Sequence, residues 1–289
     1  MRWRQGRRSA NIEDRRGRRM TAARGGSIGC GGLVLLVVLA MATGQDPAQL
    51  LSAVLETQQA SIDSPVPSGP APGQGRADDE LADFASVVLA DTEDTWTALF
   101  AARGERYRQP TLVLFDDAVQ SACGYNSAAV GPFYCPPDEK LFLDLSFFRQ
   151  LSQSFGAPGD FAAAYVIAHE VGHHIQKLTG VAEAVARQRS VLPRADGNAL
   201  QVRMELQADC YAGVWGHHAD RQRDLLERGD LEEALRAAAA IGDDTLQRRA
   251  QGRIQPESWT HGSSRQRAEW FRRGFDTGNP EACDTFSAR

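Results

Sequence analysis

The chain has 289 residues, which is room for one large domain or two small ones, and its 42% hydrophobic and 8% aromatic content is ordinary for a soluble core. Its formal net charge of −5 is unevenly distributed, because nine arginines lie within residues 1–25 against only Glu13 and Asp14. The remainder is acidic, so binding of nucleic acid over the whole surface is excluded and only the basic arm keeps that function open.

An uncharged segment follows the basic arm. No charged residue occurs between Gly25 and Thr43, and residues 33–42 are continuously apolar. About 19 residues in a helix reach roughly 28 Å, enough to cross the hydrocarbon core of a bilayer. By the positive-inside rule the arginines predict a cytoplasmic arm at 1–25, a transmembrane helix at 26–43 and a domain outside the cytoplasm. The arginines then determine the orientation of the chain in the membrane, and no nucleic-acid partner is expected.

The apolar segment has two possible fates. Ala40-Met41-Ala42 resembles a signal-peptidase site, whereas a basic arm of this length favours an uncleaved anchor. Residues 44–77 are expected to be a juxtamembrane segment and a linker, because four prolines fall between positions 61 and 75. The folded domain is expected to span 78–289.

Four cysteines lie in the part expected outside the cytoplasm, where disulfides form. The short separation of Cys123 and Cys135 favours a local bridge, and by elimination Cys210 would pair with Cys283. Four reduced, buried thiols are the alternative.

Hydrophobic periodicity predicts a mostly helical domain. Helices are expected at 81–102, 146–155, 160–179 and 200–219, followed by short helices and a last one that opens with the capping box Ser263 and Gln266. Strands are expected near 107–115, 133–135 and 141–144, with a loop over 116–139 and another over 187–198. The expected fold class is α+β, predominantly α, with a small β-sheet.

The most specific pattern is His169-Glu170-x-x-His173, within the predicted helix at 160–179. Histidines four residues apart on a helix project from one face and can bind one ion. A Zn²⁺ held by neutral imidazoles lowers the pKa of a bound water, and an adjacent carboxylate can accept its proton. The spacing therefore predicts a hydrolytic zinc site with His169 and His173 as ligands and Glu170 as general base.

A third protein ligand is expected on a later helix. Glu205 and Asp209 lie four residues apart on one face of the helix predicted over 200–219. We expect Glu205 to be that ligand and Asp209 to accept the free N–H of a ligating histidine, which fixes its orientation. A third histidine in the metzincin arrangement is excluded, because Gln176 and Thr179 occupy the positions of the required glycine and histidine.

His261 lies just before the last predicted helix. It can donate a hydrogen bond to the oxyanion that forms when a carbonyl is attacked. A structural role, in which it holds the terminal helix to the core, is the alternative. The remaining histidines, His174, His217 and His218, are assigned to no site, because they face away from the pair or lie near a helix end.

Three segments resemble a known family: HEVGHHIQ at 169–176, ELQADCYAGVW at 205–215 and THGSSRQR at 260–267. With the arginine-rich N terminus and the single apolar segment, they resemble the neutral zinc metallopeptidases of bacteria over nearly the whole chain. The last two segments also look like those of HtpX-like membrane proteases, although Gly262 stands where that group has proline. The resemblance implies a zincin-like domain preceded by one transmembrane helix, with a gluzincin-type site: His169, His173 and Glu205 on zinc, Glu170 as base and Asp209 behind them.

These observations predict a membrane-anchored zinc endopeptidase that hydrolyses peptide or protein substrates outside the cytoplasm. The alternative is a zinc-containing, membrane-anchored binding or scaffolding module with little or no turnover. A general base next to the zinc ligands favours the enzyme, since a purely structural zinc site needs none.

Overall fold

The computed structural model describes residues 1–17, 74–251 and 254–287. These residues form helices and two small sheets, so the expected α+β, predominantly α, fold class is confirmed. The α-helices are α1 (Gln74–Ala101), α2 (Ser146–Gln153), α3 (Asp160–Leu178), α4 (Val181–Arg189), α5 (Arg194–Arg223), α6 (Asp230–Ala240), α7 (Asp243–Gln251) and α8 (Ser264–Thr277). The strands are β1 (Ile12–Asp14), β2 (Thr111–Leu114), β3 (Ala118–Ser121), β4 (Gly124–Ser127), β5 (Phe133–Cys135) and β6 (Lys140–Leu143).

The larger sheet has the strand order β1-β2-β6-β5. The first three strands are parallel, and β5 runs antiparallel to β6 with Tyr134 opposite Leu141. The apolar runs of β2 and β6 are buried and form the centre of the sheet. The strand β5 therefore lies at the outer edge of the described sheet, beside the candidate site.

The segment 116–139, expected to be a loop, also contains the antiparallel hairpin β3–β4. Its strands have the sequences AVQS and GYNS, and most of their side chains are partly exposed. Such short, polar strands lack the alternation of apolar and polar residues by which strands are recognised in a sequence. The loop prediction was therefore wrong for residues 118–127.

The helix α3 lies in the core and packs against α5, which in turn packs against α8. Gly172 permits the contact of α3 with α5, because a Cβ there would lie 2.9 Å from the Cα and carbonyl oxygen of Ala208. Any side chain at this position would force the two helices apart. The contact brings His173 and Asp209, the next residues along each helix, to the same region of the core.

The helix α5 is longer than the sequence predicts and includes Asp196, Gly197 and Asn198, which were expected to be in a loop. Pro193 immediately precedes the helix, and its carbonyl accepts a hydrogen bond from Gly197 N at 2.9 Å. Residues that favour turns are tolerated in a first helical turn, where Pro at the start supplies a suitable φ. The loop prediction for residues 194–198 was wrong for this reason.

Residues 1–17 belong to the same compact unit as the described residues from position 76 onward. The strand β1 pairs with β2 with Ile12 opposite Leu112, and the side chain of Trp3 is buried. The expectation of a basic arm separate from a domain that begins at residue 78 is thus corrected for residues 1–17. The sequence hides this packing because the partner strand lies far along the chain.

Both expected disulfides are present. One joins Cys123 to Cys135 and ties the β3–β4 hairpin to the end of β5. The other joins Cys210 on α5 to Cys283 in the C-terminal tail. The predicted pairing is confirmed, and the alternative of reduced thiols is not supported.

Among residues 1–17, 74–251 and 254–287, no helix combines the length and the apolar character needed to cross a bilayer. The transmembrane helix expected at 26–43, its signal-peptidase motif and residues 44–73 of the expected juxtamembrane segment and linker lie outside the described residues. Residues 74–77, expected to end the linker, instead begin α1.

Candidate metal centre

The helix α3 presents His169, Glu170 and His173 toward a cleft. The rings of the two histidines meet edge to face, with centroids 4.8 Å apart. Both His169 and Glu170 are buried, and His173 is only slightly more exposed. This is the arrangement that a separation of four helical residues predicts.

The helix α5 brings Glu205 to the two histidines. Its Oε2 lies 3.2 Å from Nε2 of His169 and 3.5 Å from Nε2 of His173. All three potential ligand atoms lie within 4.8 Å of one another. Atoms bound tetrahedrally at zinc–ligand distances are about 3.4 Å apart, so these separations fit one zinc ion.

The protonation of each imidazole follows from the partner of its Nδ1. Nδ1 of His169 lies 2.8 Å from Oδ1 of Asp209, and a carboxylate can only accept, so Nδ1 carries the proton. Nδ1 of His173 lies 2.9 Å from Oε1 of Gln176. The amide nitrogen of Gln176 donates to the carbonyl of Met204 at 2.6 Å, which leaves its oxygen to accept. When both rings are neutral, each Nε2 therefore carries a lone pair that points at Glu205. The two Nε2 atoms and the carboxylate of Glu205 are then three acceptors that converge on one point, as a cation site requires.

The carboxylate of Glu205 is held in place by Gln201, one turn earlier on α5. The amide nitrogen of Gln201 donates to Oε1 at 2.7 Å, which leaves Oε2 directed at the histidines. Burial opposes ionisation of Glu205, but the adjacent His173 and His169 hold the pKa of its carboxyl well below the usual range. The third predicted ligand is thus an oriented carboxylate anion.

Asp209 lies at the centre of a buried network that supports His169. Tyr165 donates to Oδ1 of Asp209 at 2.5 Å, and Arg267 on α8 donates to both carboxylate oxygens at 2.9 Å. Burial would raise the pKa of Asp209, but Arg267 and His169 outweigh it and lower the pKa to about 2. Asp209 therefore remains an anion and an acceptor for His169.

Burial alone would lower the pKa of His169, whereas Asp209 and Glu205 more than offset that effect and raise it to about 9. A raised pKa means that the surroundings of the imidazole attract positive charge. The pocket formed by His169, His173 and Glu205 therefore favours a cation, and its nitrogen and carboxylate donors suit zinc.

Neither Tyr165 nor Arg267 was predicted to belong to the site. A signal for Arg267 was present, because it lies four residues before Phe271 and so shares the buried face of α8. An arginine on the apolar face of a helix needs a buried anion as partner. Tyr165 is one of many buried residues of α3, and nothing in its spacing distinguishes it from an ordinary core residue.

Glu170 lines the cleft beside the two histidines. Burial raises the pKa of its carboxyl above the usual value, although His173 and His169 oppose the shift. A carboxylate that accepts a proton and later releases it works best when its pKa is closer to neutrality. The environment of Glu170 suits the role of general base.

The cleft has a volume of about 520 Å³. It is lined by β5 and the residues just before it, and by the apolar side chains of Phe147, Phe155, Ile241 and Leu246. The walls are thus mainly apolar, and polar groups converge at the histidines and Glu205. An extended polypeptide can align with an outer strand through main-chain hydrogen bonds, and β5 offers such a strand.

His261 also lines this cleft and is 49% exposed. Oδ2 of Asp243 accepts hydrogen bonds from the backbone N–H of Thr260 at 2.7 Å, of His261 at 2.6 Å and of Gly262 at 3.0 Å. Gly262 has φ +91°, which proline cannot adopt, so the departure from the HtpX-like pattern has a conformational reason. The loop holds the His261 side chain at the cleft.

Other candidate residues lie elsewhere. Tyr211, which follows Asp209 closely on α5, packs edge to face on Trp96 and is not among the residues that line the cleft, so it is not an oxyanion donor. His174 is buried between the hydroxyl of Tyr134, at 2.9 Å, and the carbonyl of Arg108, at 2.6 Å. Near the end of α5, Nδ1 of His217 lies 2.7 Å from the carbonyl oxygen of Phe275, and Nε2 of His218 lies 2.9 Å from that of Gly278. Their assignment to no site agrees with these contacts.

Two histidines and a glutamate on one helix, met by a second glutamate from a later helix, define the class of zinc metallopeptidases. The family model described as "Putative neutral zinc metallopeptidase" matches residues 1–286, and the chain belongs to this family. Zinc is therefore its cofactor. The segments THGSSRQR and ELQADCYAGVW, which suggested this family, contain Arg267, Glu205 and Asp209 of the centre.

The chain is similar to proteins of other bacteria. It is 48% identical to the uncharacterized protein YpfJ of Escherichia coli K12 over 293 residues, which cover 99% of each chain. It is 42% identical to the uncharacterized protein Rv2575 of Mycobacterium tuberculosis H37Rv over 259 residues, which cover 86% of this chain and 85% of the relative. No solved structure matches the chain.

Proposed function

We propose that the protein is a zinc-dependent endopeptidase in which His169, His173 and Glu205 hold the metal and Glu170 is the general base. The observation that carries this proposal is the convergence of the three ligand atoms within 4.8 Å, next to a buried carboxylate in an open cleft. Zinc, when bound there, polarises a scissile carbonyl and acidifies a water molecule.

The side chains around the metal have separate tasks. Asp209 and Gln176 keep a proton on the Nδ1 atoms, so that both Nε2 lone pairs are available. Glu170 accepts a proton from the attacking water and delivers it to the leaving amine. His261 donates a hydrogen bond to the oxygen that gains negative charge.

The walls of the cleft support a peptide as the substrate. The strand β5 can pair with the backbone of an extended segment, and the apolar wall can accept its side chains. Pairing with a strand requires no free chain end, which is why we propose cleavage within a chain rather than at its terminus.

The two disulfides favour a location of the domain in an oxidising compartment. We propose that the domain acts outside the cytoplasm and that the apolar residues 26–43 bring the chain to a membrane. Fractionation of cells, with reducing-agent shifts of the two disulfides on gels, tests this location. A fully reduced domain in the cytoplasm would contradict it.

The catalytic proposal is tested with the purified full chain, a library of unstructured peptides and a metal analysis. We expect one zinc per chain, and we expect Glu170→Gln to retain zinc while hydrolysis falls by about 10²–10⁴-fold. Glu232→Gln, at an exposed position of α6, is the matched control and should leave both unchanged. Equal hydrolysis by the wild type and Glu170→Gln would contradict the role of Glu170. A zinc-loaded wild type that cleaves no peptide would favour the binding module.

A further inference from the structure

Residues 1–17 are joined to the domain through their backbone. Besides the pairing of β1 with β2, the N–H of Arg15 donates to the carbonyl of Leu114 at 2.8 Å, and the N–H of Leu112 donates to the carbonyl of Asn11 at 2.9 Å. Farther along, the N–H of Arg2 donates to the carbonyl of Leu225 at 2.8 Å. The arm is therefore a strand and an anchored extension of this domain.

A buried carboxylate of the domain depends on the arm. Glu93 on α1 is 1% exposed, and its oxygens accept hydrogen bonds from Ser9 at 2.6 Å, Asn11 at 2.8 Å and Arg7 at 2.9 Å. All three donors belong to the arm. Removal of the arm would leave a buried carboxylate without these partners, which is strongly unfavourable.

The arginines of the arm face acidic residues of the domain. They form five ion pairs at 2.6–2.9 Å: Arg2 with Asp224, Arg4 with Glu80, Arg7 with both Glu93 and Asp94, and Arg8 with Asp83. The positive charges of the arm are thus balanced by negative charges on the part of the domain that it contacts. These contacts offer an explanation of the arginines that does not involve membrane orientation.

The two ends of the intervening segment meet at one point of the domain. Nη1 of Arg16 donates to the carbonyl of Asp78 at 3.1 Å, and Nη2 lies 3.6 Å from Oδ1 of Asp79. The described chain therefore stops at Gly17 and resumes in α1, whose residues Asp78 and Asp79 lie next to Arg16.

From these contacts we propose that the arm and the catalytic domain lie on the same side of the membrane, so that residues 18–75 are an insertion rather than a boundary between compartments. One crossing within that insertion would put β1 and β2 on opposite sides and break the pairing. The insertion contains one uncharged apolar run of membrane-spanning length, so two helical crossings are not expected. The proposal concerns position alone and holds whether or not the domain is a peptidase.

The test uses the full chain with Cys30→Ser, in which single cysteines are placed at Ala10→Cys or Val191→Cys. Ala10 is exposed on the arm, and Val191 is 82% exposed on the domain. Intact spheroplasts and lysed cells are treated with a membrane-impermeant maleimide. We expect both positions to be labelled, or both to be protected, in the intact spheroplasts, and both to be labelled after lysis.

Labelling of only one position in intact spheroplasts would overturn the proposal, as would a mature protein that lacks the arm. A second measurement combines Ile12→Cys with Leu112→Cys, which are Cα partners in the sheet. With a protease site inserted in 18–75, an oxidised and cleaved chain should stay joined on a non-reducing gel. Ile12→Cys with Val191→Cys is the mismatched control, and separation of the matched pair would also overturn the proposal.

Discussion

Arg267 and Asp209 form an ion pair enclosed by the protein and joined by two parallel hydrogen bonds of 2.9 Å. The pair links α8 to α5 directly behind His169, whose Nδ1 donates to the same carboxylate. Arg267 therefore acts on the metal centre through Asp209. It is a positioning residue: its Nη2 lies 3.4 Å from Nδ1 of His169, which is not the nitrogen that faces Glu205.

We expect Arg267→Lys to bind zinc about 10–100-fold more weakly than the wild type, because loss of the support behind a ligand typically has this effect. A lysine is a single point donor and cannot hold both oxygens of Asp209. Competition with a chromogenic chelator measures the affinity. Arg265→Lys, 83% exposed on the same helix, is the control. Equal zinc affinity in both variants would show that Asp209 needs no second partner.

Zinc should stabilise the folded domain, because its ligands come together only in the folded chain. At free zinc 1,000 times the dissociation constant, the free energy of unfolding should rise by about 4 kcal/mol. In Glu205→Gln, which keeps the shape but loses the anionic ligand, this rise should largely disappear. Thermal unfolding with and without zinc provides the measurement. An undiminished rise in Glu205→Gln would exclude that residue as a ligand.

His261→Ala should lower kcat by about 10²–10³-fold while zinc content and melting temperature stay unchanged, if its imidazole steadies the oxyanion. Its side chain is half exposed, so its removal leaves no large cavity. In Asp243→Asn, the acceptor for three backbone N–H groups is weakened, and stability should fall as well. A lower melting temperature with unchanged kcat in His261→Ala would instead favour the structural role.

Glu93 and Asp94 both accept from Nη2 of Arg7, at 2.9 and 2.7 Å, but Asp94 is 50% exposed. We expect Glu93→Gln to lower the free energy of unfolding by about 1–3 kcal/mol, because an amide cannot accept all three of the hydrogen bonds that the buried carboxylate accepts. Asp94→Asn should lower it by less than about 1 kcal/mol, because an exposed ion pair contributes little. Urea unfolding of the two variants gives the comparison. Equal losses would mean that the arm is only loosely attached.

The proximity of His169 to His173, and of Glu205 to Asp209, could be predicted because helical spacing is local. Residues 169 and 173, and likewise 205 and 209, share a face whatever the rest of the fold does. The contact between the two helices is not local, since it depends on Gly172 meeting Ala208. The ligand roles remain predictions, whereas the proximity of these side chains is a property of the structure.

The arm could not be predicted in this way. Its strand is three residues long, and its partner is β2, so no local periodicity marks the pairing. The cluster of arginines also fits the positive-inside rule, so it was interpreted as a signal for membrane orientation rather than as a set of ion-pair partners. Tyr165 and Arg267 were missed for a similar reason, since their common partner Asp209 lies on another helix.

The contacts of Arg2 also have a consequence for the order of folding. Its side chain donates to the carbonyls of Asp224 and Leu226, 222 and 224 residues away, at 2.8 Å. At about 5–20 residues per second, a ribosome needs roughly 10–45 s to produce that surface after the arm has been made. Until then Arg2 lacks its partners, although β1 can already pair with β2. Resistance of the chain at Arg2 to protease would therefore report that synthesis has passed residue 226.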